Sequence, residues 1–222
     1  MFKTALSGAA LAVAVVIAMP AQATVITPVS VTASSTQTHG GFYNAENLID
    51  GSGLTDGLHD RDFRNMWMTQ LGVAKAELVF DLGGVFDLVS SDIWQFNYAD
   101  PYPVNPVHII NTIDRGVKDF RILTSLDGVT FTEVFDGQLA QANGDPLAAQ
   151  TIAFNSTAQF VKFDILSNYA EGTIYDPYAS GLSEVRFNSA PVPEPATWAM
   201  MIAGFGLAGA AMRRRALRVS LA

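Results

Sequence analysis

Short apolar runs separated by Gly, Asp, Asn and Pro dominate the chain between residues 76 and 187. The runs are rich in β-branched and aromatic residues, and no apolar repeat of 3.6 residues lasts longer than two turns, so the pattern favours strands over helices. Within 160–166, Val161, Phe163 and Ile165 alternate with residues of the opposite face, as a half-buried strand requires. Seven strands are predicted, at 76–82, 88–96, 117–124, 131–135, 151–154, 160–166 and 182–187.

A tight turn is predicted at Asp127-Gly128, which separates the runs 117–124 and 131–135. Asp and Gly accept the positive φ angles of a short hairpin connection. Strands of this number and spacing, joined by turns of this kind, predict an all-β domain built as a sandwich or a barrel.

The N-terminus has the three parts of a secretory signal peptide. Lys3 is followed by an apolar run at 9–19, and Ala21-Gln22-Ala23 forms a small-residue cleavage site. A membrane anchor is the alternative, but the apolar run is shorter than the roughly 20 residues that a span needs. Cleavage is predicted after Ala23, which assigns residues 1–23 to a signal peptide.

The C-terminus carries an apolar segment, 196–212, between Pro193-Glu194-Pro195 and Arg213-Arg214-Arg215. At about 1.5 Å per residue the segment reaches about 26 Å as a helix, slightly less than the roughly 30 Å of a bilayer core. The arginines would hold its end in the cytoplasm. Residues 193–222 are therefore interpreted as a tail with a marginal membrane helix at 196–212.

The three parts of this tail, in this order, resemble the PEP-CTERM sorting signal of Gram-negative bacteria. The resemblance implies an inner-membrane intermediate and recognition by an exosortase, a membrane-embedded cysteine peptidase. Such an enzyme would cut near Pro193-Glu194-Pro195 and release or transfer the protein at the cell surface or into the extracellular matrix. An ordinary anchor helix is the alternative interpretation.

Removal of both ends leaves residues 24–192, which is long enough for one domain with a sizeable core. Eight basic and 20 acidic residues remain in it, so its formal charge is near −12. An acidic body without a basic patch repels phosphate backbones, and nucleic acid is therefore not an expected partner. The chain has no cysteine, which rules out disulfides and thiolate metal sites.

Eight short motifs lie between residues 32 and 187. They are Thr32-Ala33-Ser34-Ser35, Asn47-Leu48-Ile49-Asp50-Gly51, Trp67-Met68-Thr69, Phe80-Asp81-Leu82-Gly83, Ile93-Trp94, Arg115-Gly116-Val117-Lys118-Asp119-Phe120, Ser125-Leu126-Asp127-Gly128 and Gly181-Leu182-Ser183-Glu184-Val185-Arg186-Phe187. In this order they resemble the discoidin, or coagulation-factor type C, domains, whose fold is a jelly-roll β-sandwich of the galactose-binding-like superfold. The chain lacks the cysteine pair of many members, and its segment 98–114 is longer and richer in proline.

The loop 44–55 is the candidate cation site. Asp50-Gly51-Ser52-Gly53-Leu54-Thr55 folds small, turn-prone residues around a carboxylate, and hard oxygen ligands suit calcium. The spacing excludes an EF-hand. The alternative is that Asp50 caps a turn and Glu184 is a solvated strand residue. The family resemblance implies a structural calcium held by the side chains of Asp50, Thr55 and Glu184 and by main-chain oxygens near Ala45 or Glu46, Gly53 and Leu182.

Aromatic residues mixed with amide, imidazole and guanidinium side chains are the candidate ligand site. Aromatic rings stack on the apolar faces of sugars, while the polar groups hydrogen-bond to hydroxyls. Trp67 and Trp94 are interpreted as core residues, whereas several tyrosines lie in turn-like sequences. The predicted ligand residues are Asn97, Tyr98, Tyr102, His108, Tyr175 and Tyr178.

No catalytic motif is present: the sequence has no G-x-S-x-G elbow, no H-E-x-x-H helix and no P-loop. We therefore expect an exported, non-catalytic protein that binds polysaccharide or a surface glycan through a calcium-stabilised β-sandwich. A structural or adhesive matrix protein without a sugar pocket is the alternative.

Overall fold

The fold is taken from a computed structural model that describes residues 23–105, 108–173, 176, 178–191, 201–210 and 213. Residues 23–190 form one compact unit of antiparallel strands. Its strands are β1 (Thr24–Ile26), β2 (Ser30–Ala33), β3 (Leu54–Thr55), β4 (Leu58–His59), β5 (Trp67–Met68), β6 (Ala76–Gln95), β7 (Pro101–Asn105), β8 (His108–Asn111), β9 (Asp119–Ser125), β10 (Thr132–Gln138), β11 (Leu147–Ala148), β12 (Gln150–Ile165) and β13 (Gly181–Ser189). Short 3₁₀ helices cover His39–Gly41, Ala45–Leu48, Phe63–Asn65 and Thr112–Arg115.

Two long strands, β6 and β12, pair with each other from Gln150 opposite Ile93 to Ile165 opposite Ala76 and form the centre of an eight-stranded sheet. The first half of β6 also pairs with β2, and its second half pairs with β13. The second half of β12 pairs with β9, which in turn pairs with β10. The prediction of an all-β domain is thus confirmed.

Each long strand joins two of the predicted strands. The predicted runs 76–82 and 88–96 merge into β6, and the runs 151–154 and 160–166 merge into β12. The register of β12 against β6 shifts twice, between Ala153 and Ser156 and between Ala158 and Phe160. Such bulges bend a strand without ending it, and this is why turn-like sequence between the runs did not become a loop.

The main core is one cluster of buried side chains that includes residues of β1, β2, β6, β9, β12 and β13. Phe80, Phe163 and Phe187, from three different strands, hold ring centroids 5.2 to 6.1 Å apart. On β12, Val161, Phe163 and Ile165 are buried, as their alternation predicted. Trp67 and Trp94 are also buried, so their interpretation as core residues is confirmed.

The two connections singled out in the sequence have defined structures. Asp127 and Gly128 join β9 to β10, with Gly128 at a φ of 71°. The Asp127 carboxylate accepts the N–H groups of Val129 and Thr130, and these bonds lower its pKa to about 2. The long segment 98–114 forms the β7–β8 hairpin and most of the 3₁₀ helix Thr112–Arg115.

Residues 201–210 and Arg213 are helical, within or next to the predicted helix 196–212. Among the described residues, no helix is both long enough and apolar enough to span a bilayer. The signal peptide, except for Ala23, lies outside the described residues, as do Pro193-Glu194-Pro195, Arg214 and Arg215. Their roles remain predictions.

Candidate functional site

Aromatic side chains from several loops gather at the end of the sandwich where β6 finishes and β13 begins. Gln95 at the end of β6 pairs with Leu182 at the start of β13. Tyr98 follows the first strand by three residues, and Tyr178 precedes the second by three. We use the name aromatic patch for Phe42, Tyr43, Phe63, Tyr98 and Tyr178.

The ring of Phe63 connects the patch. Its centroid lies 5.4 Å from that of Phe42, 5.6 Å from that of Tyr43 and 5.1 Å from that of Tyr98. Phe42 is 36% exposed, and the other three are half-buried. The rings thus form a continuous apolar surface that reaches solvent.

Local backbone structure determines the positions of the Tyr43 and Phe63 rings. Tyr43 has a φ of 62°, a left-handed conformation that costs a non-glycine residue about 1 to 2 kcal/mol. Such outliers cluster at functional sites. Phe63 begins a 3₁₀ helix whose first turn is capped by Asp62, because the Asp62 carboxylate accepts the N–H of Arg64 at 3.0 Å.

Arg115 joins Tyr178 to the other rings. Its guanidinium is almost fully buried, donates a 2.6 Å hydrogen bond to the Tyr178 hydroxyl and lies 4.8 Å from the centre of that ring. It also hydrogen-bonds to the hydroxyl of Tyr43, whose pKa is nevertheless raised because burial outweighs the nearby positive charge. Neither Tyr43 nor Arg115 is among the ligand residues predicted from the sequence.

Charged side chains border the patch, and we use the name polar rim for Asp60, Arg61, Asp62, Arg64 and Asp100. Arg61 donates a 2.6 Å hydrogen bond to Asp100, and the Arg64 guanidinium donates to both carboxylate oxygens of Asp62. Tyr98 hydrogen-bonds to Asp100, and burial together with this carboxylate raises the pKa of its phenol. The rim therefore presents donors and acceptors next to exposed ring surface.

Asn97 is a correction to the predicted ligand set. It is fully buried, and its amide nitrogen donates to the main-chain oxygens of Asp145 and Asp60 at 2.7 and 3.3 Å. Its amide oxygen accepts the N–H of Gly144 at 3.0 Å. A buried amide with these partners holds loops together and has no surface for a ligand.

The remaining predicted ligand residues divide into two groups. Tyr98 and Tyr178 lie in the aromatic patch. Tyr102 and His108 lie on β7 and β8, but their side chains are outside the described part of the structure, as is Tyr175 entirely. Their ligand roles remain predictions.

The candidate cation loop meets the last strand at Glu184. This side chain is fully buried, and its carboxylate accepts the N–H of Gly51 at 3.1 Å and a 3.3 Å bond from Nε of Arg186. Burial raises its pKa from near 4.5 to about 7, and the negative charge of Asp50 adds to the rise. A register shift between Leu182 and Glu184 marks a bulge here, a feature that re-aims side chains. The alternative of a solvated Glu184 is therefore wrong.

The other residues of the predicted cation set are less closely associated. Thr55 is exposed on the β3–β4 hairpin, and the main-chain oxygen of Gly53 accepts the N–H of Asp60 at 2.9 Å. Ala45, in the 3₁₀ helix Ala45–Leu48, and Leu182, on β13, are both buried. Within the described residues, no cluster of three or more His, Cys, Asp or Glu side chains is arranged to hold a metal. Of the predicted cation ligands, Asp50 and Glu184 are the two side chains that the structure brings together.

Two family models match the sequence. The F5/8 type C domain model matches residues 30–176, and the PEP-CTERM protein-sorting motif matches residues 191–215. The second match implies an exported protein. No curated protein sequence matches the chain.

Three solved structures with a similar fold are carbohydrate-binding modules. A family 32 module of Clostridium perfringens NanJ, in complex with galactose, is 17% identical with a TM-score of 0.52, over 76% of this chain and all of that one. A pectin-binding module is 19% identical with a TM-score of 0.51, over 76% and 96% of the two chains. A third, from a Clostridium perfringens protein in complex with GalNAc-β-1,3-galactose, is 17% identical with a TM-score of 0.50, over 72% and 94%. At these identities the likeness establishes the fold, and the predicted jelly-roll β-sandwich is confirmed.

Proposed function

This chain belongs to the F5/8 type C domain family, and from that premise we propose that it is an exported, non-catalytic protein that binds carbohydrate through the aromatic patch. The observation that carries the proposal is the position of Phe63, whose ring contacts Phe42, Tyr43 and Tyr98 at a solvent-facing end of the sandwich. Exposed rings beside hydrogen-bonding groups suit the apolar faces and hydroxyls of sugars. The sugar and pectin ligands named for the similar modules support the same class of ligand.

The pKa shifts of the carboxyl groups agree with a non-catalytic role. Among the described residues, Glu184 is the carboxyl group whose pKa is clearly raised, and it is fully buried beneath the loop 50–55. At the patch itself, the hydrogen bonds from Arg64 lower the pKa of Asp62, which opposes the protonated form that a general acid needs. The patch is therefore suited to binding.

We also propose that a structural calcium lies between Asp50 and Glu184. The residues fit such an ion, because in the described structure the desolvated Glu184 carboxylate, with Asp50 nearby, has its charge offset by one cation, Arg186, and by the N–H of Gly51. The hydroxyl oxygen of Ser52 is buried without a hydrogen-bond partner in the described structure. Calcium prefers carboxylate and hydroxyl oxygens of this kind. When bound it would neutralise charge and tie the loop to β13.

The C-terminal motif supports a proposal about processing. An exosortase would cut the chain near Pro193-Glu194-Pro195 after an inner-membrane intermediate, leaving the domain at the cell surface or in the extracellular matrix. A surface position would bring the patch into contact with extracellular polysaccharide.

A polysaccharide pull-down with the mature protein tests the proposed function. Retention on one or more polysaccharides, competed by the matching oligosaccharide, would support it. A protein that is retained by none of them, yet associates with itself or with surface proteins, would favour the adhesive matrix role instead.

A further inference from the structure

Each of the two arginines of the polar rim is paired with an aspartate of the rim. The rim contains two arginines and three aspartates, a formal charge of −1, and the buried Arg115 beside Tyr178 brings the sum to zero. Arg61 and Asp100 form a 2.6 Å pair whose side chains are 53% and 48% exposed. Arg64 and Asp62 form a second 2.6 Å pair, at 61% and 31% exposure. Both solvent-exposed arginines of the rim are therefore already paired with a carboxylate.

From this pairing we infer that the ligand is a neutral polysaccharide, read through adjacent hydroxyl groups rather than through a carboxylate or sulfate. The inference rests on the proposed sugar-binding function of the patch and names its ligand class. An arginine offers several N–H donors, and a carboxylate beside it offers acceptors. A hydroxyl both donates and accepts, so neighbouring hydroxyls on a sugar ring satisfy such a pair without replacing either partner.

The Asp100 carboxylate connects the rim to the rings. It accepts hydrogen bonds from Arg61 and from the hydroxyl of Tyr98, whose ring lies 5.1 Å from that of Phe63. A sugar stacked on these rings would thus have an acceptor and a donor at its edge. An acidic sugar would instead bring its carboxylate against Asp100.

The charge of the whole domain opposes an acidic ligand as well. Residues 24–192 carry eight basic and 20 acidic residues, and three of those eight cations are Arg61 and Arg64 of the rim and the buried Arg115. A strongly negative body repels a polyanion at long range. The rim, with both arginines paired and a formal charge of −1, provides no local attraction to overcome that repulsion.

Matched polysaccharide pairs test the inference. We would measure binding of the mature protein to neutral galactan, glucan and mannan and to polygalacturonate, polyglucuronate and polymannuronate, at low and high salt. We expect the bound polymer to be neutral, with a dissociation constant about ten-fold or more below that of its uronate counterpart. Salt should change the neutral affinity little, since stacking and hydroxyl contacts are weakly screened.

Variants that remove two carboxylate charges from the rim provide a second test of the inference. Asp62→Asn with Asp100→Asn frees both arginines, and we expect it to move selectivity toward the uronate polymer by about ten-fold. The control, Glu133→Gln with Asp136→Asn on β10, removes the same charge away from the rim and should leave selectivity unchanged. Salt-sensitive binding of the wild type to a uronate polymer would overturn the inference and leave the sugar-binding proposal standing. Absence of binding to every polymer would overturn both.

Discussion

The main-chain N–H of Gly51 donates a 3.1 Å hydrogen bond to the carboxylate of Glu184, which lies 133 residues further along the chain. The bond closes the loop 50–55 onto the last strand of the sandwich. Glu184 is fully buried there and has the charge of Asp50 nearby. This junction determines how the domain should respond to cations and to pH.

Calcium should stabilise the domain if it binds between these carboxylates. A ligand that binds only the folded state at a hundred times its Kd adds about 2.7 kcal/mol to the free energy of unfolding. We expect chelator to lower the Tm of the wild type, and Asp50→Ala to remove the difference between calcium and chelator. Superimposable wild-type melting curves in calcium and in chelator would exclude the site.

Without calcium, the stability should fall as pH rises. The folded-state pKa of Glu184 is raised from near 4.5 to about 7, so the folded protein binds more protons than the unfolded chain between these pH values. The free energy of unfolding should therefore decrease across that window, by about 3 kcal/mol if the whole shift is expressed. Denaturant unfolding in chelator at pH 4.5 and pH 8 measures this change. Glu184→Gln should flatten the profile, and an equally steep profile in that variant would assign the effect to other groups.

Asn97 should matter for folding and not for ligand contact. Asn97→Ala leaves the N–H of Gly144 and two main-chain oxygens without their amide partner, and an unsatisfied buried group costs about 1 to 3 kcal/mol. We expect that loss in denaturant unfolding, with the polysaccharide affinity of the folded protein within about two-fold of wild type. A stable variant that has lost its affinity would return Asn97 to the ligand set.

Much of this fold could be predicted from periodicity, because alternation along a strand follows directly from burial on one face. The joining of two predicted strands into β6, and of two others into β12, could not be predicted in this way, since bulges depend on the partner strand. The same limit applies to the site. Tyr43 enters the patch through a positive φ that its sequence does not signal, and Asn97 looks like a sugar-binding amide until its loop partners are known.

Processing at both ends should be visible in the mature protein. Ala21-Gln22-Ala23 and Pro193-Glu194-Pro195 predict a chain that starts at Thr24 and ends near Pro195. Intact mass of protein recovered from the cell surface or medium measures both ends. Recovery of a form that still carries Arg213-Arg214-Arg215 would indicate a permanent anchor.

The most direct test of the sugar-binding account is calorimetric titration of the mature protein with the polysaccharide that it retains. Phe42→Ala and Tyr98→Ala should each weaken binding by about 1 to 3 kcal/mol, a range taken by analogy from aromatic stacking on nucleic-acid bases. Phe131→Ala provides the control, because its ring contacts Lys162 outside the patch, and its affinity should match that of the wild type. Wild-type affinity in both patch variants, with all proteins folded, would contradict the account.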